Sequence, residues 1–388
     1  MRFAQRTHIQ ASATVTINGL ALKKRAAGER VFNLSAGEPM VNTNSFVLEA
    51  ARKAMEEGRT HYTPVPGISE LRSVASVWMN RFYQSDFSQS QTLVSAGGKS
   101  AYHLAVQALV EPGDEVIMIA PYWVSYSSIV ELYGGTPIVV STKESDHWKL
   151  SPEGLIKLCT GKTKLFVLNN ASNPTGVLYT REELKALLQI AAERGIFVIS
   201  DEVYGGLVYD DHEFVSVGSF REYKDKVAII QSASKQFAMT GWRLGFAFGP
   251  EEFIKVLITL QGQDTTCASS ISQYAALAAF QNADKIIPAV RGCMQERRNV
   301  FVQSFNELFP EPIDPPLSSL YCFIPIRAFG SSEINSVAFC ERVLKEANVA
   351  MVPGMAFGTE AYVRCSFGEE AEELTAGLQA LGEYLSKY

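Results

Sequence analysis

Four short stretches place reactive side chains directly after apolar runs. Thr92–Ser95 leads into Ala96-Gly97-Gly98-Lys99, and Leu165–Asn169 leads into Asn170-Ala-Ser-Asn173-Pro174-Thr-Gly176. Phe197–Asp201 continues as Glu202-Val203-Tyr204, and Val227–Gln231 continues as Ser232-Ala-Ser-Lys235, with Arg243 eight residues further on. Each stretch has a bland reading and a chemical one. Two glycines before a helix make a turn, and they also free backbone N–H groups to face an anion. Asn173 belongs to a tight turn, yet its amide can donate to a ligand oxygen. An Asp closing an apolar strand caps the next helix or faces a buried cation, because an unpaired carboxylate is costly to bury. A lysine among Phe and Met residues either snorkels to the surface or, desolvated beside another cation, becomes a nucleophile for carbonyls. Arg243 is a candidate for that cation or for a phosphate clamp.

These residues need elements to hold them. Strands are expected at Thr92–Ser95, Glu115–Ala120, Thr136–Val140, Leu165–Asn169, Phe197–Asp201, Val227–Gln231 and Leu244–Phe248. Helical patterns lie between several of them. One starts at Thr180, where Thr-Arg-Glu-Glu fits a capping box closed by Glu183, and it ends near Gly195. Alternating strands and helices imply a largely parallel sheet covered on both faces. Such sheets bind ligands beyond the C-terminal ends of their strands, where all four stretches stand. Together they supply a phosphate cradle, an amide donor, a buried carboxylate and a lysine, which is what a pyridoxal phosphate site requires. From about Ala276 a long helical stretch runs to Leu308, and a proline-rich break and a smaller α/β layer follow. The N-terminal segment is expected to join that layer, with Ala13–Ile17 alternating like a strand or extended arm.

Composition removes other classes. The formal charge of the 388 residues is −6, which argues against nucleic acid as the main partner. The five histidines show no metal-ligand spacing, and no apolar run approaches a membrane span. Six scattered cysteines without a CxxC pair read as reduced thiols in a cytoplasmic protein. The first 28 residues lack acidic side chains, a pattern shared by transit peptides and structured basic arms. The arm is the expectation here.

The chain resembles the fold-type I aminotransferases, in particular the bacterial aspartate aminotransferase subgroup. The resemblance rests on Ser12-Ala-Thr14, Ala36-Gly37-Glu-Pro39, Tyr62-Thr-Pro-Val-Pro-Gly67, Gly97-Gly98-Lys99 and Pro121-Tyr-Trp123-Val-Ser-Tyr126. It continues through Asn173-Pro-Thr-Gly176, Ser200-Asp201-Glu-Val-Tyr204, Ser232-Ala-Ser-Lys235, Thr240-Gly-Trp-Arg243, Val352-Pro-Gly354 and Tyr362-Val-Arg364. It implies a homodimer with shared active sites and a large cofactor domain over 46–285. The small domain would be built from 1–45, which holds the N-terminal arm, and 286–388. It implies pyridoxal 5′-phosphate carried on Lys235, with Asp201 at the pyridinium nitrogen and Asn173 and Tyr204 at the phenolic oxygen O3′. Trp123 would stack on the ring. Gly98, Lys99, Ser232 and Arg243 would bind the phosphate, joined by Tyr62 of the neighbouring subunit. Arg364 would take the substrate α-carboxylate and Gly37 would approach it through its backbone, with Trp123 and Asn173 also lining the substrate site. Lys99, with Ser12 and Thr14, would read a side-chain carboxylate.

The implied activity is transfer of an amino group, most simply from aspartate, to 2-oxoglutarate by a ping-pong route in which Lys235 moves the α-proton. Catalysis would rest on Lys235, Asp201 and Tyr204. Two departures bear on the donor: Met40 replaces the subgroup's Asp after Gly-Glu-Pro, and Gln10 stands where prephenate-using relatives carry Lys. Aromatic or other amino acids, prephenate, or a different α-carbon reaction such as C–S lysis remain alternatives. A regulator's effector-binding module is disfavoured, because the motifs begin at Ser12.

Overall fold

The computed structural model describes residues 3–9 and 13–387. Among them twelve strands follow in chain order. They are β1 (Phe32–Asn33), β2 (Thr92–Ser95), β3 (Glu115–Ala120), β4 (Thr136–Ser141), β5 (Thr163–Asn169) and β6 (Phe197–Asp201), then β7 (Val227–Ser232), β8 (Gly245–Phe248), β9 (Tyr321–Pro325), β10 (Val349–Ala350), β11 (Val352–Pro353) and β12 (Tyr362–Ser366). Seven form one sheet in the order β2-β8-β7-β6-β5-β3-β4. β8 runs antiparallel to β2 and β7, and the remaining neighbours are parallel. Each of the seven apolar runs in the sequence is a strand of this sheet.

Burial on both faces explains why these strands read as continuous apolar runs. Along β5 the side chains alternate between two cores: Phe166 and Leu168 join one, Leu165 and Val167 the other. Helices Arg181–Glu193 and Ala283–Leu308 pack into the first core, and Gly98–Leu109 and Glu251–Gln263 into the second. The helix Arg181–Glu193 begins with the expected capping box. Glu183 N donates to Thr180 Oγ1 at 3.3 Å and Thr180 N donates to Glu183 Oε2 at 2.7 Å. Gly195, at φ 69°, takes the chain out of the helix.

A second sheet, in the order β11-β12-β9, is antiparallel and holds Arg364 on its central strand, opposite Val352 and Phe323. β1 pairs with β10 in parallel, so the N-terminal segment joins this C-terminal layer. The fold is therefore α/β, with a large mostly parallel sheet between helices and a smaller α/β layer.

Two expectations are corrected. Ala13–Ile17 is not extended; it opens a helix, Ala13–Ala26. Five alternating residues are too few to fix a period. The Ala-, Leu- and Lys-rich stretch that follows favours helix, and Lys23, Lys24 and Arg25 sit in its last turn, where they complement the helix dipole. Ala21 and Ile17 anchor this helix on Val31, Leu344 and Ala350. The long helical stretch after Ala276 is two helices, Ser270–Gln281 and Ala283–Leu308. They are divided at Asn282, whose side-chain amide bonds back to Ala278 O at 2.9 Å. Gln10 and Ser12 lie outside the described residues, and Thr14 falls within the first helix.

Candidate active site

The ends of β5, β6 and β7 and the loop after β2 meet at one cavity of about 320 Å³. Its lining includes Gly37, Gly98, Lys99, Trp123, Asn173, Asp201, Tyr204, Ser232, Lys235, Arg243 and Arg364. The structure thus brings eleven proposed site residues together; Tyr62, 88% exposed, and Thr14 are not in the described lining, and Ser12 lies outside the described residues.

One end of the cavity is shaped by missing side chains. Gly97, at φ 100°, caps the helix Gly98–Leu109. A Cβ on Gly97 would fall 2.6 Å from Arg243 Nη2, and one on Gly245 would fall 2.3 Å from both Gly97 C and Gly98 N. These glycines let the loop lie against the sheet edge, with the first free N–H groups of the helix and the Arg243 guanidinium on one spot. That is an anion cradle. Ser232 Oγ stands 3.0 Å from Leu244 O and 2.9 Å from Ser234 Oγ. Lys99 places its ammonium 4.9 Å from the Trp123 ring, and desolvation followed by the Arg243 charge lowers its pKa.

Asp201 closes β6 beside Asn169 of β5. Tyr126 Oη donates to Asp201 Oδ2 at 2.6 Å and Val203 N to Oδ1 at 3.3 Å. Burial pushes its pKa up to about 6, against the pull of these donors and of Lys235. No helix starts directly after β6, so Asp201 is not a helix cap: its carboxylate accepts from Val203 N in a turn and borders the cavity. The neighbouring Glu202 is fully buried, accepts from Ser200 Oγ and Val217 N at 2.9 Å each, and is pushed to about 7 by desolvation.

Lys235 Nζ donates to Gly37 O. Desolvation lowers its pKa, with Tyr321 and Glu38 opposing and Arg364 and Arg243 assisting. Lowering the pKa of a buried lysine makes more of the free amine available as nucleophile and base. Arg364 donates to Asn173 Oδ1 at 3.2 Å and to Ser35 O at 3.0 Å, and its Nε is buried with no partner among the described residues. A planar fork with a donor to spare is ready for a carboxylate. Its Cζ lies 4.0 Å from the Tyr321 ring centre. Tyr204 Oη lies 2.8 Å from Tyr321 Oη.

Tyr126, Asn169, Ser35 and Tyr321 were missed as site residues. Tyr126 and Asn169 carried a signal, since one closes the Pro121–Tyr126 motif and the other ends a strand. Ser35 and Tyr321 carried none. Met40 is 44% exposed and is not part of the described lining. Its backbone is held by Gly368 O at 2.9 Å and by Arg297 Nη1 at 3.2 Å.

Comparison with known proteins matches residues 29–381 to the family model described as aminotransferase class I and II. The chain belongs to that family. It is 36% identical over 394 residues to the aspartate aminotransferase of Geobacillus stearothermophilus, covering 99% of each chain. It is 35% identical over 384 residues to a probable aspartate/prephenate aminotransferase of Aquifex aeolicus, covering 98% of each. The structure of the Thermus thermophilus aspartate aminotransferase with maleate superposes with a TM-score of 0.93 at 34% identity, over 99% of this chain and 100% of that one. This aminotransferase is thus an enzyme whose cofactor is pyridoxal phosphate, as in its family. The cavity fits that group. The glycine cradle with Arg243 suits a phosphate, the buried Asp201 suits a ring nitrogen, and Lys235 suits the aldehyde carbon. No helix among the described residues is long and apolar enough to cross a membrane.

Proposed function

We propose that the enzyme moves the amino group of L-aspartate to 2-oxoglutarate in two half-reactions. The observation that carries this reading is the balance of charge in the cavity. Its described lining holds four cations, Lys99, Lys235, Arg243 and Arg364, and one acid, Asp201. With Lys235 committed to the cofactor, Arg243 answers its phosphate and Arg364 the substrate α-carboxylate. Lys99 then needs a third anion, which the side chain of a dicarboxylic amino acid supplies. The maleate in the related T. thermophilus structure is also a dicarboxylate.

Pyridoxal phosphate supplies the electron sink for the pair left on the substrate α-carbon. Lys235 Nζ holds the cofactor and, once released, moves the α-proton. Asp201, braced by Tyr126, holds a proton on the ring nitrogen. Asn173 and Tyr204 donate to O3′. Trp123 covers the ring, and the backbone N–H groups of Gly98 and Lys99, with Ser232, complete the phosphate cradle, which leaves the Lys99 ammonium free for the substrate. Gly37 sits beside the substrate, and its carbonyl accepts from Lys235 Nζ when the lysine is free of the cofactor. Tyr62, exposed on its own chain, reaches the phosphate of a second subunit, which makes the working form a homodimer. The large domain spans 46–285, and 1–45 with 286–388 make the small one. Six free cysteines support a cytoplasmic setting.

The test is a donor panel with 2-oxoglutarate, for the native enzyme and Lys99→Ala. The native enzyme is expected to prefer aspartate and glutamate. The variant is expected to lose roughly tenfold or more in kcat/KM for these donors alone, the value of one charge-assisted hydrogen bond. A native preference for aromatic or small neutral donors overturns the aspartate reading.

A further inference from the structure

Tyr321 touches three residues assigned a role in the site, Gly37, Tyr204 and Arg364, and the proposed reaction does not use it. It is buried, on β9, far in sequence from its neighbours. Its ring lies under the Arg364 guanidinium, and a Cβ on Gly37 would fall 2.9 Å from its hydroxyl oxygen. Among the described residues its hydroxyl has one hydrogen-bond partner, Tyr204 Oη at 2.8 Å.

Two hydroxyls carry two protons, and the bond between them uses one. The direction of that bond decides which tyrosine has a proton left for the cavity. The groups around Tyr321 are themselves donors. Arg364 covers its ring, and among the described residues Tyr204 Oη is the one acceptor within hydrogen-bond distance of its hydroxyl. A proton on Tyr321 therefore has Tyr204 Oη as its acceptor.

We propose that Tyr321 is a positioning residue whose hydroxyl donates to Tyr204 Oη, so that the Tyr204 proton is committed to the cofactor O3′. A hydroxyl that accepts one hydrogen bond donates a stronger one. Tyr321 thus strengthens a contact it does not make. The inference rests on the reading of Tyr204 as the O3′ donor.

The experiment follows the visible absorption of the lysine-bound cofactor against pH in the native enzyme, Tyr321→Phe, Tyr204→Phe and the double variant. A donor at O3′ stabilises the phenolate left when the lysine-cofactor linkage loses its proton, so weakening that donor raises the titration midpoint. Tyr204→Phe is expected to raise it most. Tyr321→Phe is expected to raise it by roughly 0.3–1 unit, as loss of a cooperative neutral hydrogen bond implies. In the Tyr204→Phe background the same change is expected to add nothing, since the Tyr204 hydroxyl that carries the effect is gone. An unchanged midpoint in Tyr321→Phe, or an equal shift in both backgrounds, overturns the proposal. An unchanged midpoint in Tyr204→Phe overturns instead the O3′ reading beneath it. Tyr321→Phe keeps the ring against Arg364 and should leave maleate binding intact. Tyr321→Leu removes both and should weaken it, which separates the hydroxyl from the packing.

Discussion

Asn169, Asp201 and Ser232 close three neighbouring strands of one sheet, whereas Asn18, Ser35, Tyr321 and Arg364 come from four segments spread along the chain. The first group forms the cofactor side of the cavity, and its spacing is set by backbone ladders such as Asn169 opposite Asp201 and Ser232 opposite Gly245. The second group forms the substrate side: Tyr321 and Arg364 stand on the paired strands β9 and β12, and a side-chain relay ties Arg364 to the N-terminal segment. Asn33 Nδ2 donates to Asn18 Oδ1 at 2.7 Å, Ser35 Oγ donates to Asn33 Oδ1 at 2.6 Å, and Arg364 Nη2 donates to Ser35 O at 3.0 Å. A ladder fixes position through many equivalent bonds, while a relay fails at its weakest contact. Changes on the sheet side should therefore act on holding the cofactor, and changes on the relay side on choosing and binding the substrate.

The largest effect belongs to the residue between the two sides. Lys235→Ala should remove the absorption of the lysine-linked cofactor and lower turnover by at least about 10⁴-fold, since one side chain serves as nucleophile and base. Spectra and steady-state rates measure both, and an active variant ends the assignment. Gly245→Ala tests the sheet side, because its methyl group would fall 2.3 Å from Gly97 C and Gly98 N, so the cradle backbone must shift. Overpacking of this kind costs about 1–3 kcal/mol, or roughly 5- to 150-fold in cofactor affinity. Titration of the cofactor-free protein reads that loss, and KM should change little once cofactor is saturating. Arg364→Lys tests the relay side. It keeps the charge but loses the planar fork, so KM for a dicarboxylic donor should rise roughly 10- to 100-fold with cofactor affinity unchanged. Should Gly245→Ala act on KM, or Arg364→Lys on cofactor affinity, the two sides are not separate.

The smallest effect is on stability. Glu202 lies behind Asp201 with its Oε2 unpartnered among the described residues, and burial raises its pKa from 4.5 to about 7. The folded chain therefore binds this proton more tightly than the unfolded chain. Stability from this group is greatest below pH 4.5 and falls as pH rises toward 7. Glu202→Gln should flatten that decline and leave the variant more stable above pH 7 by on the order of 1–2 kcal/mol. Denaturant midpoints between pH 4 and 8 check it, and parallel curves for the two proteins count against a buried, titrating Glu202.

The cofactor side was largely readable before folding. Asp201, Asn173 and Lys235 each follow an apolar run, and the glycines before Lys99 announce a turn into a helix. Even so, their chemistry stayed ambiguous one by one, since a strand-end Asp also caps. Arg364 and Trp123 were reached only through family resemblance. The helical state of Ala13–Ile17 was misread because its anchors, Val31, Leu344 and Ala350, lie outside the segment.

The sequence by itself determined the seven strands of the large sheet, the capped helix after Thr180 and which reactive residues stand at the strand ends. Strand alternation, capping boxes and glycine turns are local properties of the backbone, and they act over a few residues. Only the tertiary structure decided that Tyr321 meets Tyr204, that Tyr126 braces Asp201 and that Ser35 holds Arg364. Those contacts join residues 117, 75 and 329 positions apart. The first exists because the small layer packs over the strand ends of the large sheet, the second because the helix Ser125–Leu132 packs beside the end of β6, and the third because the N-terminal segment joins the C-terminal layer, and all three follow from the fit of whole surfaces.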